Sequence, residues 1–134
     1  MNRFYYSSTI ENFIEAIPDT VLGIFAQSQT LFAIESTEVR AWRAEIEILQ
    51  HVLRNFEGQL YFEYSIPRMG KRIDVICIIE AVIFVLEFKV GEKHFLASDL
   101  DQVMDYALDL KNFHQPSHHL LIAPILIATQ AASS

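Results

Sequence analysis

The sequence predicts an α/β domain, a mixed four-stranded sheet with helices on both faces. Three observations carry this. Helical and strand-like patterns follow one another in the order helix, strand, strand, strand, helix, strand. Two neighbouring runs, Arg72–Ile79 and Val82–Lys89, are apolar at both parities, as strands covered on both faces are. The chain has 134 residues, 51% of them apolar, which suits one domain with a sizeable core.

The elements follow in order. Ser8-Thr-Ile-Glu11 has capping-box spacing ahead of Phe13, Ile14 and Ile17, and Pro18 stops that turn. Asp19 caps a second short helix through Val21, Leu22, Ile24 and Phe25. Ser36 or Thr37 starts the strongest helix, Val39 to Asn55, whose Trp42, Ile46, Leu49 and Leu53 form one continuous face. Gly58 ends it. Gln59–Ile66 is aromatic and β-prone, and Pro67-Arg-Met-Gly70 supplies turn chemistry. Only Glu80-Ala81 separates the two β-branched runs, a poor hairpin dipeptide where Asn-Gly or Asp-Gly is favoured. After Gly91, Ser98 caps a helix with Leu100, Val103, Met104, Ala107, Leu108 and Leu110 on its apolar face, ending near Phe113. Residues 114–119 read as a loop, and Leu120–Thr129 as a last buried strand with Pro124 at an edge or bulge. A chain stopping after a core strand reads as the N-terminal part of a longer protein.

Composition removes several function classes. The apolar fraction and 12% aromatic content exclude disorder. Cys77 is the single cysteine, so a disulfide scaffold and a Cys-based zinc site are excluded, and it reads as a buried strand residue. A reduced cytoplasmic setting fits. The N-terminus lacks the apolar stretch of a secretory signal. The most apolar run, Val75–Leu86, is too short to span a bilayer and carries Glu80, so no membrane association is expected. The net charge of -7 argues against a non-specific nucleic-acid coat. Yet Arg68, Lys71, Arg72, Lys89 and Lys93 gather in residues 68–93, among the apolar strands.

The hairpin concentrates the chemistry. If Glu80-Ala81 is a two-residue loop, Ile79 faces Val82 and Asp74 faces Glu87. Opposed Cβ atoms lie about 4.5–5.5 Å apart, where like charges destabilise a sheet. A divalent cation relieves that repulsion, since Mg²⁺ is held by one or two carboxylates with water and phosphate. Lys89 follows Glu87 by two residues and leaves the same face. Two acids and an ammonium together are what metal-assisted phosphodiester hydrolysis requires. The Phe88 carbonyl is a further candidate ligand.

Asp74 followed thirteen residues on by Glu87-Phe88-Lys89, within that order of elements, resembles the PD-(D/E)XK nuclease superfamily. Gln102-Val-Met-Asp-Tyr106 is similar to the Q-xxx-Y motif of its RecB-like branch, with both residues on one helical face. Glu45 matches the helical acid that many members add as a metal contact. Ser65–Asp74 and Asp105–His114 resemble the N-terminal domain of bacterial helicase-like proteins, in which a nuclease-like domain precedes an ATPase. The likeness covers about residues 38–129. It implies a restriction-endonuclease-like core over 38–134, a helical extension over 1–37, and Mg²⁺ or Mn²⁺ at Asp74, Glu87, Phe88 and Glu45. Gln102 and Tyr106 would shape the site. Independently of the likeness, Arg68, Lys71 and Arg72 sit at a strand turn near Asp74 and read as contacts to DNA, or RNA, phosphates. Ile73 stands where the motif usually has proline. No G-x-x-x-x-G-K-[ST] occurs, so an ATPase module would lie outside these residues. A homodimer is compatible with the reading.

Plainer readings accompany each of these. Asp74, Glu87 and Lys89 could form an inter-strand salt-bridge network. Glu45 could be solvated, although Arg43 at i−4 makes Glu47 the better surface partner. Gln102 and Tyr106 could be ordinary helix residues, Arg68, Lys71 and Arg72 a solvated hairpin tip, and His114, His118 and His119 a solvated loop. The function expected is a metal-dependent nuclease domain. The alternative is a catalytically inactive nucleic-acid-binding or assembly domain on the same fold.

Overall fold

A five-stranded mixed sheet organises the computed structural model, which describes residues 4–28, 36–66, 71–89, 101, 105 and 121–128. The elements are β1 (Tyr6–Thr9), α1 (Ile10–Glu15), α2 (Pro18–Ser28), α3 (Ser36–Val52), β2 (Gln59–Ile66), β3 (Lys71–Ile79), β4 (Val82–Lys89) and β5 (Leu121–Ala128). Strand order in space equals order in sequence; β1 to β4 are antiparallel neighbours and β5 runs parallel to β4. The α/β class is as the sequence predicts. The strand count is corrected from four to five, because Tyr6–Thr9, just ahead of the first helix, pairs with Gln59–Phe62. The helix-capping oxygen is that of Thr9, one residue after Ser8; it accepts from the Asn12 N–H at 3.2 Å. The helix expected over 98–113 lies outside the described residues, save Asp101 and Asp105, whose backbone is helical.

Two apolar layers flank the sheet. On one side Ile10, Phe13, Val21 and Phe25 of α1 and α2 join Trp42, Ile46 and Leu49 of α3 over Leu60, Phe62, Val75, Cys77, Leu86 and Phe88. Rings tighten this layer: Phe25–Phe62, Phe25–Trp42 and Phe13–Phe62 centroids lie 5.1, 5.2 and 5.5 Å apart. Such pairs add about 0.5–1.5 kcal/mol each beyond area burial. Ile73, Ile76, Ile83 and Val85 form the second layer, on the other face. Both faces are therefore apolar, as the double-parity pattern of β3 and β4 requires.

Polar clips orient the helices. The Gln50 amide donates to the Phe13 and Ala16 carbonyls at 3.0 and 2.7 Å, fixing the end of α1 to α3. Arg43 bridges Asp19 of α2 and Glu47. Gly58, before β2, donates its N–H to Glu11 and accepts from the Ile10 N–H, so α1 is also tied to the sheet. Between α3 and the strands β3, β4 and β5 lies an apolar cavity of about 290 Å³, bordered by Leu49, Cys77, Phe84 and Ile127.

Glu80-Ala81 does form the two-residue turn, with Ile79 opposite Val82. Glu80 adopts φ 55°, and Ala81 does not turn positive. A positive φ at the first turn position alone is the type II′ pattern, where glycine is usual. Glu80→Gly is expected to raise stability by about 0.5–1 kcal/mol in urea unfolding, the left-handed penalty less glycine's entropy cost. Gly58 has the opposite sensitivity. A Cβ there would sit 2.1 Å from the Ile78 carbonyl oxygen. Gly58→Ala is expected to cost roughly 2–4 kcal/mol by the same measurement, since backbone must move to admit it.

Candidate functional site

From the turn, β3 and β4 pair regularly as far as Val75 opposite Leu86. In that register the next opposed residues are Asp74 and Glu87, and there the backbone ladder stops. The carboxylates replace it. The Asp74 N–H donates to Glu87 Oε1 at 3.1 Å, and the Phe88 N–H donates to Asp74 Oδ2 at 2.9 Å. Each acid thus satisfies an amide on its partner strand, which lets the strands part without orphaning either donor.

The other flank of β3 breaks at the same point. Phe62 pairs with Val75 and Tyr64 with Ile73, while Glu63 and Asp74 between them are skipped. Facing reverses across the gap. Phe62 and Val75 belong to the helix-side layer, whereas Tyr64 and Ile73 pack in the other. Strict alternation would keep residues two apart on one face. Glu63 absorbs the reversal with φ 54°.

α3 brings Glu45 to this break. Glu45 shares the inward stripe of Trp42, Ile46 and Leu49, and only 4% of it is exposed. Glu47 stays outside, held by the Arg43 Nε–H at 3.1 Å. No described hydrogen bond reaches the Glu45 carboxyl, and no fully buried side-chain oxygen among the described residues lacks a partner. Its oxygens therefore keep some contact with solvent.

The electrostatics follow from burial. Desolvation, then the charges of Asp74, Glu63 and Glu87, push the Glu45 carboxyl up to about 10. Desolvation and the Asp74 charge push Glu87 up to about 9, against the Asp74 N–H that favours its ionised form. Asp74 is raised by desolvation too, opposed by the Phe88 N–H, a hydrogen bond with Glu87 and the Lys89 ammonium. Asp74 and Glu87 are close enough to share a proton, so they titrate as a pair. Glu45 and Glu87 hold their protons at neutral pH unless positive charge compensates them.

The donor set suits a hard cation in part. Asp74 and Glu87 each have a second oxygen beyond the amide bonds, the chemistry of a site holding Mg²⁺ or Mn²⁺ through two carboxylates, water and phosphate. Among the described residues no three His, Cys, Asp or Glu side chains are arranged to hold a metal ion. Glu45 stands beside the pair, its carboxyl within reach of the charges of both Asp74 and Glu87.

Of the other residues singled out in the sequence, Lys89 is half-buried and Phe88 is buried. Arg72 is exposed, its guanidinium 4.5 Å above the Tyr5 ring and donating to the Glu63 carbonyl at 3.2 Å. Lys71 opens β3. Arg68, Gln102, Tyr106 and the three histidines His114, His118 and His119 lie outside the described residues. Glu63 was not among the sequence candidates. The one available signal was a lone acid within the aromatic run Tyr61-Phe-Glu-Tyr64. The chain matches no protein-family model, no curated protein and no solved structure. No helix among the described residues is long and apolar enough to cross a membrane.

Raised carboxyls make a signed prediction. Glu45 binds a proton in the fold up to about 10, but in the unfolded chain only up to about 4.5. Its contribution is complete below pH 4.5 and lost as pH rises toward 10. In metal-free buffer, Glu45→Gln should flatten the fall in Tm between pH 5 and 8 relative to the parent. The ceiling is about 1.4 kcal/mol per pH unit. Parallel curves for the two proteins would refute the assignment.

Proposed function

We propose that this is a metal-dependent nuclease domain of restriction-endonuclease-like fold, hydrolysing DNA phosphodiester bonds. The observation that carries the reading is the opposed pair Asp74 and Glu87, set at a break in the sheet with Lys89 two residues further on. The order α3, β2, β3, β4 and β5 supports it, as does the presence of Glu45 beside the pair. A fold gains nothing from burying Glu45 and Glu87 beside a half-buried Asp74 in an apolar sheet, whereas a cation site does.

Asp74 and Glu87 would hold Mg²⁺ or Mn²⁺, with the Phe88 carbonyl adjacent. The bound ion would polarise the phosphoryl group and lower the pKa of a water. The chain's own residues do the rest. Lys89 orients the attacking water and offsets charge growing on the phosphate oxygens. Glu45, protonated at neutral pH, offers its O–H to the water network. Arg72, over the Tyr5 ring, offers its remaining N–H groups to a flanking phosphate. Gln102 and Tyr106 would line the site, with Arg68 and Lys71 extending the phosphate contacts. Cytoplasmic DNA is the substrate of this reading, with RNA the variant. A helicase-like ATPase following in a longer chain, and a homodimer, are its partner assignments.

One observation favours a second reading. The backbone amides that already bond Asp74 and Glu87 also suit a catalytically inactive nucleic-acid-binding or assembly domain.

The deciding assay uses supercoiled plasmid and single-stranded DNA with Mg²⁺ or Mn²⁺. Cleavage is expected, reduced about 100-fold or more by Glu87→Gln and by Lys89→Ala. Salt-sensitive binding without cleavage would establish the second reading as a binding module. Neither binding nor cleavage would leave assembly.

A further inference from the structure

We infer that Glu63 is a positioning residue for this site, clipping α3 over the break in the sheet so that Glu45 meets Asp74 and Glu87. Its link to catalysis rests on the nuclease reading; the clip itself does not.

Two hydrogen bonds, a charge and a backbone conformation converge on Glu63. Its Oε1 accepts the Trp42 Nε1–H at 3.1 Å, and Trp42 lies one turn before Glu45 on the same face of α3. Its carbonyl accepts the Arg72 guanidinium at 3.2 Å, so the strand on the far side of the gap is held by the same residue. Its charge reaches both Glu45 and Glu87. Its backbone sits at φ 54°, the left-handed region that a residue with a Cβ enters only at a cost.

That cost is informative. Glycine would relieve it, but glycine has no carboxylate for Trp42. The strained residue is also where the β2–β3 pairing is interrupted opposite Asp74, and where the facing of both strands reverses. One side chain therefore couples the helix that carries Glu45 to the kink that releases Asp74 from regular pairing. Trp42 also stacks edge-on against Tyr5 and Phe25, with centroids at 6.1 and 5.2 Å, so the indole is fixed on its other sides. Its N–H has a single direction in which to point.

The test separates the hydrogen bond from the charge. Glu63→Gln keeps an acceptor for the indole and removes the charge; Glu63→Ala removes both. Trp42 is the only tryptophan, so one indole N–H signal reports the clip in metal-free protein. Slow hydrogen exchange of that signal is expected in the parent and in Glu63→Gln. At least tenfold faster exchange is expected in Glu63→Ala, with amide shifts at Glu45, Asp74 and Glu87. Should Glu63→Ala fail to fold, Glu63→Gly relieves the left-handed backbone and is read in the same way. Unchanged exchange and unchanged amides in the carboxylate-free variant would overturn the clip.

Mn²⁺ titration by calorimetry then reads the consequence. Glu63→Ala should weaken binding at least tenfold, and Glu63→Gln should stay within about threefold of the parent. Equal loss in both would assign the effect to charge and overturn positioning. If the parent itself binds no Mn²⁺ and cuts no DNA, the nuclease reading fails, while the exchange result still decides the clip.

Discussion

Burying ionisable oxygen in a sheet with apolar layers on both sides is the constraint from which the rest of this structure follows. Asp74 and Glu87 lie where two strands would otherwise exchange backbone hydrogen bonds, and they take over those bonds. The substitution satisfies the amides but leaves two carboxyls desolvated side by side, and Glu45 adds a third. A protein interior tolerates this by keeping protons on, by pairing with cations, or by opening to water. Here Lys89 bears on Asp74, and Glu45 keeps its tip in contact with solvent. The site is thus a local departure from the rules that govern the surrounding sheet, held in place because the surroundings are so regular.

That regularity comes from the N-terminal third as much as from the hairpin. β1 extends the sheet beyond β2, and α1 and α2 supply Ile10, Phe13, Val21 and Phe25 to the helix-side layer. Without them Phe62 and Trp42 would lose the rings that pack on them. The long helix is therefore held by an apolar stripe along its length and by directed polar contacts at Trp42, Arg43 and Gln50. Packing sets where the helix lies, and the directed contacts set its rotation, which decides whether Glu45 faces inward.

The legible parts of the sequence were those governed by local spacing. A short loop fixes the register of a hairpin, so the opposition of Asp74 and Glu87 could be read from residue numbers, even with an unfavourable Glu80-Ala81 turn. Helical spacing distinguished Glu45 from Glu47, because Arg43 stands one turn before the latter. Long-range pairing was not legible. Ser8 and Thr9 carry a good capping pattern, and nothing local shows that Tyr6–Thr9 will find Gln59–Phe62 some fifty residues later. Glu63 was hidden for the same reason, since its importance lies in a partner on another element and in a reversal of strand facing that alternation cannot foresee. Gln102 and Tyr106 rest on motif likeness alone and Arg68 on its place by the strand turn, all three being outside the described residues.

Cys77 sits in the middle of β3 with no exposed surface, and desolvation holds its thiol up at about 12. Thiolate is the reactive form, so a maleimide or disulfide reagent at neutral pH has nothing to attack while the sheet is closed. As the chain holds one sulfhydryl, each adduct would record one excursion in which the central strands came apart. Labelling kinetics would give the opening rate of the sheet's interior, in a molecule that needs no added probe.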